Sequence, residues 1–422
     1  MRFVVLPAVT VATLVAIPLW SQQAAAKADT WPDFRGTTWD GHAASASLPL
    51  RWSEEKNVRW KTPIVGRGWS SPVVFDGRVW ITSATERGRR LLVVACDLES
   101  GKKIVERTLF IVEEPENCNS LNSYASPSPV IEAGRVYVHF GTYGTACLDT
   151  NNGETIWERR DIHCDHMEGP GSSPVLWRDL LIVHMDGGDV QYVIALDKKT
   201  GKTRWKRPRS TRFRENHIAD QRKAYSTPIV IDVAGNPTLI SSGAVETAAY
   251  DPATGKEVWK VRTGGFSMSS RPVAGNGLVF LNSGFMRPQL FAVRPGGSGD
   301  VTDDAIVWSY KRNVPTMPSP LFVDGHVYMV NDSGIASCLD AKTGERVWHK
   351  RIDGRHCASP IYAAGRLYFF DRDGGTTVLA AGKEPKELAV NRLDDGFMAS
   401  AAVVGDAFIL RTRTHLYRVE RE

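Results

Sequence analysis

Hydrophobic and polar positions along this chain follow a phrase that returns every 40–57 residues. Each return opens with Ser-Pro or a close variant. Two apolar residues follow, then a pair ending in Gly, then an apolar-aromatic run. Copies begin at Pro72 (SSPVVFDGRVWIT), Pro129 (SPVIEAGRVYVHF), Pro174, Pro228, Pro272, Pro320 (SPLFVDGHVYMV) and Pro360 (SPIYAAGRLYFF). A weaker eighth copy has Ala401 in place of Pro (SAAVVGDAFIL). The run after Pro predicts a short strand, and the X-Gly pair a tight hairpin, because such turns need positive φ. A second strand follows, as in Val79-Trp80-Ile81. Proline has no N–H to donate, so the first strand is expected at a sheet edge.

The second half of the repeat is more distinctive. ALDKKTGKTRW (195–205), AYDPATGKEVW (249–259), CLDAKTGERVW (338–348) and CLDTNNGETIW (147–157) share Asp, Gly four residues later and Trp four beyond that. Asp opens a turn by accepting backbone N–H groups, and Gly takes the left-handed position. The first repeat has Val105 for Trp. The fifth stretches the turn but keeps Trp308, and the seventh ends in Leu388. Trp157, Trp205, Trp259, Trp308 and Trp348 are therefore expected in outer strands, wedged between neighbouring sheets. Burying ~150–250 Å² each at ~25 cal/mol per Å² contributes roughly 4–6 kcal/mol before entropy costs.

A four-strand repeat of this period predicts an all-β, eight-bladed β-propeller of four-stranded antiparallel blades. The eighth copy supplies three strands before the chain ends. Its missing outer strand is expected from NVRWKT (57–62), whose Trp60 matches the docking Trp, so an N-terminal strand closes the ring. Residues 1–28 read as a secretory signal peptide: Arg2, an apolar run to Leu19, and small residues around Ala24–Ala28. The division is then 1–28 signal peptide, 29–56 an extension packed on the propeller through Trp31, Phe34 and Trp39, and 57–422 the propeller. No Cys precedes Cys96, so no lipoprotein attachment cysteine is expected, and no later stretch is apolar enough to span a membrane. This points to a periplasmic or secreted protein, and a monomer. The net charge of +5 over 422 residues is too mild for a dedicated nucleic-acid binder.

The D-x-x-T-G-x-x-x-W phrase resembles the PQQ-type repeat of quinoprotein alcohol dehydrogenases and of non-catalytic BamB-like outer-membrane assembly factors. The resemblance covers about 57–422 and implies the fold, leaving function open. A dehydrogenase of this kind implies PQQ with Ca²⁺, carboxylate and amide ligands, a catalytic Asp, a Trp under the quinone and often a disulfide between adjacent cysteines. None can be placed here: the six cysteines are never adjacent, and no C-x-x-C-H haem site exists. No catalytic, cofactor or metal residue is assigned. The reading is an exported, non-catalytic binding or scaffold module for an envelope protein or anionic glycan, with a PQQ-dependent dehydrogenase of alcohols or sugars as the alternative.

Loops joining each outer strand to the next inner strand should gather at one mouth of the channel and carry any site. They bring His163, Asp165, His166, Arg212, Arg214, His217, Arg271, Arg355 and His356; a hairpin adds Arg287. His163, Asp165, His166 and His217 have the chemistry of metal ligands, and the arginines that of anion capture. Ordinary loop hydrogen bonding is the competing reading for both. Cys118 and Cys164 sit in neighbouring loops and are candidates for a disulfide. Cys96, Cys147 and Cys338 are expected as buried thiols.

Overall fold

A computed structural model describes residues 29–45, 47–209 and 217–421. The expected signal peptide, and Arg212 and Arg214, lie outside them. The chain forms eight blades, each a four-stranded antiparallel sheet in strand order along the chain. Blade 1 runs Val73–Phe75, Arg78–Thr85, Arg90–Asp97, Lys103–Ile111; blade 6, with near-ideal repeat lengths, runs Leu321–Val323, His326–Val330, Ile335–Asp340, Arg346–Arg351. In blade 8, Val58–Pro63 pairs antiparallel with His415–Val419, from Val58 opposite Val419 to Pro63 opposite His415. First and last segments thus share a sheet, and the ring closes as expected. Among the described residues no helix is long and apolar enough to cross a membrane.

The repeat signature has a packing cause. Trp60, Trp157, Trp205 and Trp308 reach the Asp-Gly turn of the next blade, and Trp348 reaches the shortened turn of blade 7. The Nε1–H of each donates to a backbone carbonyl there: Trp60 to Leu98, Trp157 to Lys198, Trp205 to Pro252, Trp308 to Ala341 and Trp348 to Gly382, all at 2.9–3.1 Å. In the first four the indole lies against the turn's Gly. A Cβ at Gly255, whose φ is +68°, would stand 2.5 Å from the Trp205 ring. Gly is needed twice over, for the positive φ and for the close approach. Trp259 is also buried, at 1% exposure. Where blade 7 has Leu388 instead of Trp, Trp52 of the N-terminal extension fills the gap, 6.5 Å from Tyr368 of blade 7 and 5.5 Å from Phe408 of blade 8.

The Ser of each Ser-Pro pair forms a second, inner ring. Ser71 N–H donates to Ser128 Oγ, Ser128 to Ser173, and Ser173 to Thr227, at 2.8–2.9 Å. The belt resumes from Arg271 N–H to Ser319, then Ser359, Ser400 and back to Ser71, at 2.9–3.0 Å. Seven hydroxyls stitch the blades together around the axis. At blade 5 the hydroxyl is replaced by Arg271.

The segment 31–43 does more than pack on one blade; it crosses the channel. Trp31 bridges Val74 of blade 1, and Pro32 O accepts the Ile131 N–H of blade 2. His42–Ala43 adds a parallel strand to Ile361–Ala363 of blade 7. Between these anchors, Asp33 takes the Arg271 guanidinium at 2.5 Å. Arg35 donates to the Pro360, Pro320 and Asp40 carbonyls at 2.6–3.0 Å. Burial pulls the Arg35 pKa down to about 10, with Asp40 opposing, so it stays charged at neutral pH.

Candidate functional site

With one end plugged, the channel becomes a blind cup of about 730 Å³. All eight loops from an outer strand to the next inner strand contribute to its wall, including Trp69, Asn122, Glu168, Tyr225, Phe266, Met317, Arg355 and Met398. Hairpins of blades 5, 6 and 7 add Phe285, Asp332 and Arg372. The seven belt hydroxyls and Phe34 of the plug also line it. The cup therefore lies at the mouth to which the loop pattern points.

The expected site residues separate on inspection. Arg355 lines the cup and is exposed. Arg287 is exposed on the blade 5 hairpin, beside Phe285 and Met286. His163 and Asp165 are exposed in the loop between blades 2 and 3: His163 Nδ1 is 3.0 Å from Thr142 Oγ1, and Asp165 accepts the Met167 N–H. His217 is partly buried, and its carbonyl accepts from Arg222.

Three expectations are corrected. Arg271 does not face the mouth: it is 1% exposed and held by Asp33 and the Pro228 carbonyl. It is a clamp on the plug. His356 is 1% exposed, its ring between the Phe370 and Asp353 carbonyls at 2.9 and 3.1 Å; burial lowers its pKa. His166 is also buried, and its Nε2 accepts the Thr142 N–H. Burial pulls its pKa to about 4, with Asp189 opposing, so it is neutral and its lone pair is occupied. Among the described residues, no three His, Cys, Asp or Glu side chains stand close enough to hold a metal.

The candidate Cys118–Cys164 disulfide is not formed. Cys118 and Cys164 are both free thiols, as are the other four. Cys164 turns inward to the His166 ring at 3.6 Å. Cys96, Cys147 and Cys338 are buried as expected. Cys357 lines the cup, and burial pushes its pKa up to about 11 despite Arg372, Arg355 and Arg413 nearby.

Electrostatically, the cup has two unlike sides. On the blade 2–4 side, Lys223 is ion-paired to both Glu168 and Asp220, and Glu168 also accepts from Asn119. At blade 6, Asp332 accepts the Thr316 hydroxyl at 2.6 Å and the Thr316 and Met317 N–H groups. These carboxylates are spent on holding loops. Around blades 6–8, Arg355 and Arg372 have no acidic partner among the described residues. The outer lip carries exposed apolar side chains: Leu121 and Phe285, which line the cup, and Ile218 and Met286 in the neighbouring loop and hairpin, are 39%, 51%, 66% and 69% exposed.

Sequence reasoning missed the Ser/Thr belt, the plug and Arg372. The belt was visible as Ser or Thr before Pro in most copies. The plug carried no periodic signal, and Arg372 sits in a blade 7 hairpin that is not part of the long loops.

An eight-bladed ring with docking tryptophans and a loop-lined cup defines a PQQ-type repeat propeller. The family model for outer membrane protein assembly factor BamB matches residues 50–298 and 297–385, and the chain belongs to that family. It is 25% identical over 348 residues to the outer membrane protein assembly factor BamB of Moranella endobia, covering 77% of this chain and 80% of that one. It is 29% identical over 255 residues to a 1-butanol dehydrogenase (quinone) of Thauera butanivorans, covering 53% of this chain but 38% of that one. The quinohemoprotein alcohol dehydrogenase of Comamonas testosteroni superimposes with a TM-score of 0.68 at 12% identity, covering 95% of this chain and 82% of that one; that likeness shows the fold. The relatives thus include both an assembly factor and dehydrogenases.

Proposed function

We propose that this chain is an exported, non-catalytic propeller that binds a partner protein of the cell envelope at its mouth. The observation that carries the reading is the apolar lip of Leu121, Ile218, Phe285 and Met286 around a cup whose acidic side chains are already engaged. Exposed aromatic and methionine side chains are enriched in protein interfaces, and a rigid ring of loops is suited to presenting them.

The calcium–quinone group does not fit the residues present. Ca²⁺ takes six to eight oxygen ligands. The cup's described carboxylates, Glu168, Asp220 and Asp332, are bound to Lys223 and to the Thr316 loop, and among the described residues no three His, Cys, Asp or Glu side chains converge. The same engagement leaves none of these three carboxylates free to act as a base.

The test is titration of the purified protein with PQQ, with and without Ca²⁺, followed by melting temperature and by dye reduction with alcohols and sugars. No calcium-dependent shift and no dye reduction are expected. A bound-quinone spectrum with alcohol-dependent dye reduction would establish the dehydrogenase instead.

A further inference from the structure

We infer that the mouth receives an acidic segment of the partner protein, its carboxylate held by Arg355 and Arg372 and an apolar neighbour set against Phe266 and Phe285. This rests on the protein-binding reading above and names the partner's chemistry.

The first observation is charge left uncompensated. Neither the Arg355 nor the Arg372 guanidinium has an ion pair or side-chain hydrogen bond among the described residues, and Arg372 Nε is buried without a partner. Their backbones are adjacent, the Arg372 N–H donating to the Arg355 carbonyl at 2.7 Å, and both residues line the cup. Arg413 adjoins them, donating to the Arg372 carbonyl at 2.8 Å. A buried donor without an acceptor is costly, so the guanidinium is under-satisfied, and its remaining N–H groups line the cup, where an incoming carboxylate can reach them. Guanidinium forks match carboxylates in a bidentate geometry.

The second observation is the floor. Each belt hydroxyl accepts a neighbouring amide, and no acceptor for its own O–H exists among the described residues. A hydroxyl can donate while accepting, so the floor offers donors. Donors below and cations at the side select an anionic acceptor.

The third observation is shape and lip. The plug makes the cup blind, so it takes the tip of a loop or side chains rather than a threaded chain. Phe266 and Phe285 stand 5.9 Å apart, edge to face, and Met286 and Ile218 are aliphatic and exposed. Aromatic side chains mixed with Met and Ile are the composition of a protein interface, and the two Phe rings meet edge to face rather than as one flat platform. This favours an acidic peptide over an anionic glycan.

Fluorescence anisotropy with a labelled, C-terminally amidated peptide of alternating glutamate and phenylalanine tests this on the full secreted chain. A peptide with glutamine for glutamate is the control. The glutamate peptide should bind at least tenfold tighter, and the gap should shrink between 50 and 500 mM salt. Arg355→Gln with Arg372→Gln should reduce its affinity at least tenfold, to that of the control, with an unchanged melting temperature. Phe285→Ser should weaken both peptides. Equal binding of the two peptides, no binding of either, or full affinity in the double variant would overturn the inference. The broader reading fails separately, on quinone-dependent dye reduction.

Discussion

The Asp33–Arg271 pair is the most consequential single contact outside the blades, because it ties the plug to the one blade that lacks a belt hydroxyl. Both side chains are nearly inaccessible, at 3% and 1%. Removing one partner of a buried pair costs about 3–5 kcal/mol, because a desolvated charge is left behind. Asp33→Ala should be the worse of the two. It leaves Arg271 and Arg35 without the carboxylate between them, and their mutual repulsion already contributes to lowering the Arg35 pKa. In Arg271→Ala, Asp33 keeps the Arg35 N–H at 3.0 Å. Unfolding entropy of ~2.1 cal/mol/K per residue over about 390 residues gives ~0.8 kcal/mol/K, so Asp33→Ala should lower Tm by about 4–6 °C. Replacing both by apolar residues, Asp33→Leu with Arg271→Met, should recover most of that loss. Denaturant and thermal melts of the four proteins measure the coupling. Single losses below ~1 kcal/mol, or a double variant as unstable as the sum of the singles, would refute the clamp.

Other predictions follow from particular contacts. Gly255→Ala puts a Cβ into the Trp205 ring at positive φ and should cost more than 2 kcal/mol, whereas Gly277→Ala, with open space around it, should cost ~1 kcal/mol; urea melts compare them. Trp205→Ala should destabilise by ~3–5 kcal/mol by the same assay. His166 is held neutral, its pKa lowered by burial to about 4 from 6.5. The unfolded chain therefore binds the extra proton between those values, and stability is full above pH 6.5 and lost as pH falls toward 4, by roughly 3 kcal/mol. His166→Gln should flatten that part of the pH–stability curve. Finally, all six cysteines should react with a thiol reagent in denaturant without prior reduction; fewer would mean a disulfide.

The blades were legible because every repeat states its strands in the same words. Pro marks the start of the inner strand, X-Gly the hairpin, Asp and Gly the outer turn, and Trp the docking position. Even ring closure could be read, since Trp60 repeats the docking residue just where blade 8 runs out of chain. What repetition does not encode was harder to see. The plug is a single non-repeating segment whose partners, Val74, Arg271, Pro320 and Pro360, are far away in sequence. Arg271 and His356 look like mouth residues because they border mouth loops. Yet the position before Pro faces the channel at belt level, and the ring of His356 turns between two backbone carbonyls. Arg355 was legible from its loop alone, while its neighbour Arg372 came from another turn and met it only in the folded ring.

The most direct test of the mouth as the working surface is photo-crosslinking in living cells, with the crosslinking amino acid at Met286 on the lip or at Asn276 on the opposite face. The account predicts a discrete protein adduct from Met286 that is lost with Arg355→Gln and Arg372→Gln, and none from Asn276. Adducts from Asn276 alone, or a Met286 adduct indifferent to both arginines, would contradict it.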